Sequence, residues 1–505
     1  MSREGLSAPG TRALNVAHWN RRSRRSPQVR PRWRSTGPGR PLSNQQLQLL
    51  RMMVTDLLPL STVEHAGFQA FVQTLNPACD VQLSVKWVRD ELFRIYEDTR
   101  EKVQKDMNSV GHIVLSAELW PANQGQDNYV TVSGHFIDKY WKRRCCVLET
   151  LHLHGDQTPG CAVHHLRRLA AEWKIKDKVN VVVSNIRAMR EACEGEGWTH
   201  IRCLALNLNM VFKEAMASAD DPAWKALLRK CRNIVRFFSS DAEARHLLTS
   251  HQARLKLPTA GLMLSPDETL LSTFNMLHTI SQQAEAINSV LMQQVKETLW
   301  LNKSEKATLS TTLSALQPFK DTIDQLSHRG FDSISSITPL VTDLQKKMGG
   351  LAQGGNKLAE TLDHQIKKLF GDIKKNRWLT LSTFLDPRFK SAMLFSHKAD
   401  EIKNKVIAEM QTLHKTEQDD VLCDVLANYV TSSSMEKQQN PLDYWRLPRD
   451  SRALSPVALK YLTTVSTAAP LERAFHQHTS LKIRSLEPQN VHLLLFLNTN
   501  WSTLP

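Results

Sequence analysis

The sequence reads YVTVSGHF at residues 129–136, and this β-branched and aromatic run is the middle one of three. The other two runs lie at residues 112–117 and 142–152, and the polar stretch NQGQDN at 123–128 separates the first run from the second. Short β-branched and aromatic runs bounded by turn residues are typical of strands joined as hairpins. The segment therefore predicts three consecutive antiparallel strands.

Helical and strand patterns alternate after the third run. They predict, in order, a helix at residues 162–173, a strand at 179–183, a helix at 187–193, a strand at 200–203 and a helix at 206–217. Three antiparallel strands followed by alternating helices and strands is the element order of an RNase H-like core. We therefore expect an α/β core of this class.

Most of the remaining chain has the 3.6-residue apolar period of helices. After residue 220 the clearest helical stretches are 271–299, 309–326 and 402–413, with breaks expected at Gly349-Gly350, Gly354-Gly355 and residues 431–434. The predicted organisation is a tail at 1–42, a helical segment at 43–105, the first part of the core at 106–220, an all-α insertion at 221–439 and a C-terminal region at 440–505 that completes the core.

The net charge of +15 on 505 residues is concentrated in the first 42. That segment has ten arginines, no lysine and one acidic residue, so it carries +9 and leaves +6 for the rest. It has no apolar period, which predicts disorder. Arg21, Arg22, Arg24 and Arg25 form a candidate nuclear localisation signal, and the tail could also contact nucleic acid through its charge. The alternative is a solvated leader without a role.

Several classes of protein are disfavoured by composition. No run of 18 apolar residues exists, which argues against a membrane span, and the N-terminus lacks the apolar region of a signal peptide. Eight scattered cysteines without a Cys-x-x-Cys pair indicate a reducing compartment, with neither a disulfide framework nor a zinc finger. The histidines at 152, 154, 164 and 165 lack partners at metal-ligand spacing. No metal or other cofactor is therefore expected.

A C-terminal block contains one acid beside basic residues and an apolar helix. It reads AAPLERAF at residues 468–475, which includes Glu472, then KIRS at 482–485 and PQNVHLLLFL at 488–497. The block resembles the C-terminal region of hAT-superfamily transposases, which carries one catalytic acid and mediates dimerisation. LDPRFK at 385–390 and NPLDYW at 440–445 extend the resemblance, which covers about residues 45–501. It implies an RNase H-like core interrupted by a large all-helical insertion.

The resemblance also locates the other two acids of the family. Glu118 in LSAELW stands where the family has aspartate, and Ser184 in VVVSN stands where it has the second aspartate. Cys203 is kept from a Cys-x-x-His element, but Leu206 replaces its histidine. The chain thus keeps the structural motifs of the family but not its functional ones. In this it resembles domesticated, transposase-derived proteins such as the vertebrate BED-finger proteins, here without a BED finger.

The chemistry of strand cleavage makes these replacements consequential. RNase H-like enzymes use two metal ions about 3.5–4 Å apart, and Mg²⁺ requires oxygen ligands that are usually carboxylates. The neutral hydroxyl of Ser184 cannot supply the lost charge, and the longer side chain of Glu118 shifts its oxygens. We therefore expect no enzymatic activity. The alternative is a residual metal-dependent DNA-processing enzyme that uses Glu118 and Glu472.

The C-terminal helices predict dimerisation. Ser455 and Pro456 form the cap and first turn of one helix, and Pro488 starts another that is apolar on nearly every face. A second subunit is the expected cover, through Leu459, Leu462, Val491, Leu494, Leu495 and Phe496. The alternative is that these side chains are buried within one chain.

Together these expectations describe a nuclear, non-catalytic protein of transcription or chromatin regulation. It would form a homodimer, or a dimer with related hAT-type proteins, and could bind DNA or chromatin proteins. A DNA-binding module that uses the basic tail and lysines of the insertion is a further alternative.

Overall fold

The computed structural model describes residues 42–75, 83–121, 128–153, 159–186, 189–218, 222–259, 261–262, 269–327, 333–390, 399–415, 418–446, 453–468, 483 and 485–501. The chain divides into two compact units, Met1–Leu47 and Gln48–Pro505. Only residues 42–47 of the first unit are described, where the first helix begins. Apart from the start of that helix, all features below belong to the second unit.

Five strands form one mixed sheet in the order β3-β2-β1-β4-β5. They are β1 Ile113–Pro121, β2 Asn128–Ile137, β3 Arg143–Leu153, β4 Val179–Ser184 and β5 Thr199–Ile201. β2 pairs antiparallel with both β1 and β3, whereas β4 pairs parallel with β1 and β5. The three predicted antiparallel strands and the two later strands are confirmed.

Helices precede the sheet and connect its parallel strands. They are α1 Asn44–Asp56, α2 Ala66–Leu75, α3 Val85–Asn108, α4 Pro159–Glu172, α5 Met189–Glu196 and α6 Leu204–Ser218. Polar side chains cap two of them by accepting a backbone hydrogen bond: Ser43 accepts from the amide of Gln46 at the start of α1, and Ser84 accepts from the amide of Trp87 at the start of α3. The alternation of helices and strands that the sequence predicts after β3 is therefore confirmed.

Between residues 222 and 446 the described elements are helical. They are α7 Pro222–Ser240, α8 Ala242–Arg254, α9 Leu270–Gln282, α10 Ala284–Gln293, α11 Lys303–Ser327, α12 Ile337–Gln353, α13 Lys357–Phe370, α14 Arg377–Leu385, α15 Ala399–Leu413, α16 Asp419–Thr431 and α17 Pro441–Arg446. Two further helices, α18 Ser455–Leu462 and α19 Pro488–Asn500, follow. None of the described helices is long and apolar enough to cross a membrane.

The predicted helix at 271–299 is wrong as a single element. Gln283 has a non-helical backbone conformation and separates α9 from α10, and its buried side chain accepts a hydrogen bond of 2.7 Å from Gln252. The apolar period continues through this break, since Ile280 and Ile287 on either side are both buried. Periodicity alone therefore gave no sign of it.

The predicted break at Gly349-Gly350 is also wrong, because both residues lie inside α12. Two glycines in a helix interior cost about 1 kcal/mol each, and the burial of Leu344 and Met348 on the same helix offsets that cost. The break at Gly354-Gly355 is confirmed, since α12 ends at Gln353 and Gly355 has a φ of +87°.

The prediction that Ser455 caps a helix is wrong. Ser455 is the first residue of α18, and Leu454 occupies the cap position.

The helices after α6 pack directly against one face of the sheet. Val114, Val181 and Val183 project from that face into a cluster that continues through the buried side chains of α6 to α13. A second cluster joins Ile137 at the end of β2 to α14, α15, α16, α17 and α18. The helices after residue 222 therefore contribute to the same compact unit as the sheet.

Candidate functional site

The ends of β1 and β4 bring the predicted acidic positions onto neighbouring strands. Ser184, the last residue of β4, is paired in register with Ala117 of β1. Side chains alternate between faces along a strand, so Ala117 and Ser184 share one face and Glu118 projects from the other. Glu118 is buried, with 5% of its surface exposed. The two positions are neighbours in the sheet, but their side chains do not converge.

The hydroxyl group of Ser184 is fully buried and makes two hydrogen bonds. It donates to the carbonyl oxygen of Ala117 at 2.7 Å and accepts from the amide of Ile186 at 3.0 Å. The first bond ties β4 to β1, and the second fixes the turn that leaves β4. This serine is therefore a structural link between two strands.

Two asparagines hold the next turn. The side-chain oxygen of Asn185 accepts from the amide of Cys203 at 2.9 Å, and its side-chain nitrogen donates to Asn207 at 3.2 Å. The sequence did not predict the hydrogen bond between Asn185 and Asn207. The available signal was weak, because an asparagine after a strand and another in the following helix indicate nothing until the fold brings them together.

The same turn is tied to the C-terminal segment. The amide of Leu204 donates to the carbonyl of Ser466 at 2.9 Å, and the amide of Ala468 donates to the sulfur of Cys203 at 3.2 Å. Cys203 is therefore held as a buried acceptor. Leu206, where the family has histidine, packs against the main hydrophobic cluster.

A histidine, His200, contacts this strand end through its Nε2 atom. Burial lowers the pKa of His200, although the carbonyl oxygen of Ser184, which accepts from Nε2 at 3.0 Å, acts in the opposite direction. Around the end of β4 the described partners are thus a hydroxyl, amides and an imidazole.

Glu118 lies beside a row of aromatic and hydroxyl side chains. Its register partner is Thr131, whose hydroxyl accepts from Trp120 Nε1 at 3.0 Å and lies 3.1 Å from the hydroxyl of Thr150. Trp120 stacks on Tyr129 with ring centroids 4.6 Å apart, and Tyr129 stacks on His152 at the same distance. His152 is therefore part of an aromatic stack.

The described part of the chain contains no group of three or more His, Cys, Asp or Glu side chains placed to hold a metal ion. Glu472 lies outside the described residues, as do His154 and the arginine cluster Arg21, Arg22, Arg24 and Arg25.

The predicted dimerisation residues are covered by the chain itself. Leu462, Val491, Leu494 and Phe496 are fully buried, and Leu495 is 6% exposed. Leu459 is half-buried and packs against the second cluster. The sequence argument for a second subunit was that these apolar faces need a cover. Their environment agrees with the alternative, which was burial within one chain. Dimerisation through these residues stays a prediction, but the need for a cover no longer supports it.

The motif LDPRFK is a buried structural node. Arg388 and Asp386 form a fully buried ion pair with two side-chain hydrogen bonds of 2.7 and 2.9 Å. The ammonium group of Lys390 donates to the Tyr429 carbonyl at 2.7 Å and to the Ser432 hydroxyl at 2.8 Å. The side chain of Phe389 in the same segment is also buried.

Most of the sheet region matches a known family. Residues 116–195, from β1 into α5, match the ZBED1 RNase-like domain. Human zinc finger BED domain-containing protein 4 is 22% identical to this chain, and the alignment covers 90% of the chain and 43% of the relative. The chain is similar to BED-type zinc-finger proteins over most of its length. This confirms the resemblance found in the sequence to transposase-derived proteins of that kind.

Other relatives come from distant organisms. Mouse zinc finger BED domain-containing protein 6 is 22% identical over 72% of this chain and 39% of its own length. DAYSLEEPER of Arabidopsis thaliana, also named a zinc finger BED domain-containing protein, is 21% identical over 69% of this chain and 51% of its own length. The chain thus spans less than half the length of the human and mouse relatives.

Proposed function

We propose that this chain is a catalytically silent, transposase-derived protein that acts in the nucleus by binding other molecules, in the regulation of transcription or chromatin. The observation that carries the proposal is the position of Ser184. Its hydroxyl is used within the sheet, and it lies on the opposite face from Glu118. Two-metal chemistry needs carboxylates that converge on the same ions.

The nuclear part of the proposal rests on the sequence. Arg21, Arg22, Arg24 and Arg25 supply a basic cluster in a tail of charge +9. Replacing these four residues by glutamine should move a fluorescent fusion of the full chain out of the nucleus. Nuclear accumulation that is unchanged by the replacement would leave the cluster without this role.

Catalytic silence is tested by DNA nicking. Purified full-length chain with Mg²⁺ or Mn²⁺ should convert no more supercoiled plasmid to the nicked form than a Glu472→Ala variant does, because the second metal-binding carboxylate is absent. A Glu118→Gln variant serves as a second reference. Nicking that depends on Glu472 or Glu118 would overturn the proposal in favour of a residual metal-dependent DNA-processing enzyme.

A further inference from the structure

Helix α7 carries five basic residues and no acidic one in its nineteen positions, PAWKALLRKCRNIVRFFSS. Its buried face consists of seven residues that pack into the main cluster: Trp224, Leu227, Leu228, Cys231, Ile234, Val235 and Phe238. The opposite face is open to solvent, with Lys225, Arg229, Asn233 and Arg236 all exposed. This helix is therefore anchored on one side and cationic on the other.

The exposed basic residues form a line. A helix turns about 100° per residue, so Lys225, Arg229 and Arg236 lie within an arc of about 40° and extend over about 16 Å of the axis. The exposed Asn233 lies about 40° outside this arc on one side, and the half-buried Arg232 lies about 20° outside it on the other. We call Lys225, Arg229 and Arg236 the α7 stripe.

The charges of the α7 stripe are not used within the described chain. Arg229 Nε donates to the carbonyl of Lys225 at 3.5 Å, and Arg236 donates to the side chain of Asn233 at 3.0 Å. No carboxylate among the described residues lies within ion-pair distance of the three cations. Lys230, on the flank of the helix, is by contrast paired with Glu305 at 2.6 Å.

We infer that the α7 stripe binds the phosphate backbone of a nucleic-acid duplex without reading its sequence. A rigid line of cations matches a polyanion with one charge per about 1.7 Å of axis. The guanidinium groups of Arg229 and Arg236 suit phosphate oxygens, which they can bind with two parallel hydrogen bonds. This inference is independent of catalytic silence, because it concerns a helix away from the strand ends.

An acidic protein segment fits this face less well. Protein interfaces have an apolar core surrounded by polar residues, whereas no large apolar side chain of α7 is exposed. Interfaces with nucleic acid are polar, wet and strongly positive. The exposed residues of α7 have that character.

The test is the salt dependence of binding to a 20-base-pair DNA duplex, measured by fluorescence anisotropy with the full chain. Neutralising the stripe by Lys225→Gln, Arg229→Gln and Arg236→Gln should reduce the slope of log K against log salt by about 2.7, since each phosphate contact contributes about 0.9. Between 50 and 200 mM salt, wild type should then lose roughly 40-fold more affinity than the variant.

Two further variants distinguish the effect of the α7 stripe on binding from the effect of the total charge of the chain. Lys346→Gln, Lys357→Gln and Lys374→Gln remove the same charge from exposed positions on other elements and should leave the slope nearly unchanged. Asn233→Lys adds a cation to the stripe and should raise the slope by about 0.9. A gain of this kind cannot arise from misfolding, so the proposal stays testable even if the triple variant is unstable.

The outcomes are distinct. The inference is supported if the slope of log K against log salt falls in the stripe variant alone and rises for Asn233→Lys. Parallel titrations with an RNA duplex identify which duplex is bound. Equal losses in the stripe and control variants, or no change in either, would overturn it. Tighter binding of polyglutamate than of the duplex at equal charge concentration would also overturn it, by assigning the face to an acidic protein segment.

Discussion

Ser184 contributes a hydroxyl group where the hAT resemblance implies a carboxylate. Its hydroxyl donates to the carbonyl of Ala117, whereas an ionised carboxylate can only accept hydrogen bonds. A carboxylate at this fully buried position would face the carbonyl oxygen without a donor between them. At the scale of single residues, a serine at position 184 therefore fits the end of β4, whereas an aspartate there does not.

Substitution of Ser184 should reveal this structural role. Ser184→Ala should lower the free energy of unfolding by about 1–2 kcal/mol, because the partners of the hydroxyl stay buried. Ser184→Asp should lower it by about 3 kcal/mol or more, because it buries a charge beside a carbonyl oxygen. Urea unfolding followed by circular dichroism measures both values.

The matched control is Ser218→Ala, an exposed serine at the end of α6 whose loss should have little effect. A Ser184→Asp variant that is as stable as wild type and binds Mn²⁺ would contradict this account of the strand end.

At the scale of elements, one buried carboxylate joins three helices. Glu409 of α15 accepts from Arg377 of α14 and from the Tyr461 hydroxyl of α18, both at 2.7 Å, and from Lys460 of α18 at 2.8 Å. Burial alone would raise the pKa of Glu409, but hydrogen bonds from Lys460 and Tyr461 and the charges of Lys460 and Arg377 outweigh it and lower that pKa.

This lowered pKa predicts a pH dependence of stability. The unfolded chain takes up a proton on Glu409 at higher pH than the folded chain does, so the stabilisation is present above about pH 4.5 and is lost as the pH falls further. Glu409→Gln should be less stable than wild type by about 1–3 kcal/mol at pH 7, and the difference should shrink towards pH 3.

Unfolding of both proteins in urea at pH 7, 5, 4 and 3 measures that difference. Asp400→Asn is the control, since the side chain of Asp400 is 91% exposed and its pairing with Lys403 should contribute little at any pH. A difference between Glu409→Gln and wild type that stays constant from pH 7 to pH 3 would count against the pKa argument.

The sequence predicted helices and strands better than it predicted the breaks and the contacts between them. The three antiparallel strands were accessible because each β-branched run is bounded by turn residues. The break at Gln283 was not, because the apolar period runs through it. The bond between Asn185 and Asn207 depends on a turn and a helix that meet only after folding. The α7 stripe was not predicted, although residues 222–240 contain five basic residues and no acidic one.

At the scale of the whole molecule, the C-terminal helix α19 closes the fold against early parts of the chain. Asn498 donates to the carbonyl of Val54 at 2.9 Å, and Asn500 donates to the carbonyl of Val147 in β3 at 2.9 Å. Phe496 lies 4.5 Å from the ring of Tyr96 in α3, measured between centroids. The apolar faces of this helix are therefore covered by a strand and helices of its own chain.

This closure makes a prediction that differs from a dimer interface. Leu494→Asp and Phe496→Asp each place a charge at a fully buried position, so each should cost at least about 3–5 kcal/mol and leave the chain unfolded or aggregated. Circular dichroism and sedimentation of each variant beside wild type measure fold and mass together. Phe71→Asp in α2 is the control, because Phe71 is 61% exposed and its replacement should leave a folded chain. If the α19 variants instead stay folded with half the mass of wild type, the helix is a subunit interface and the closure described above is not its main role.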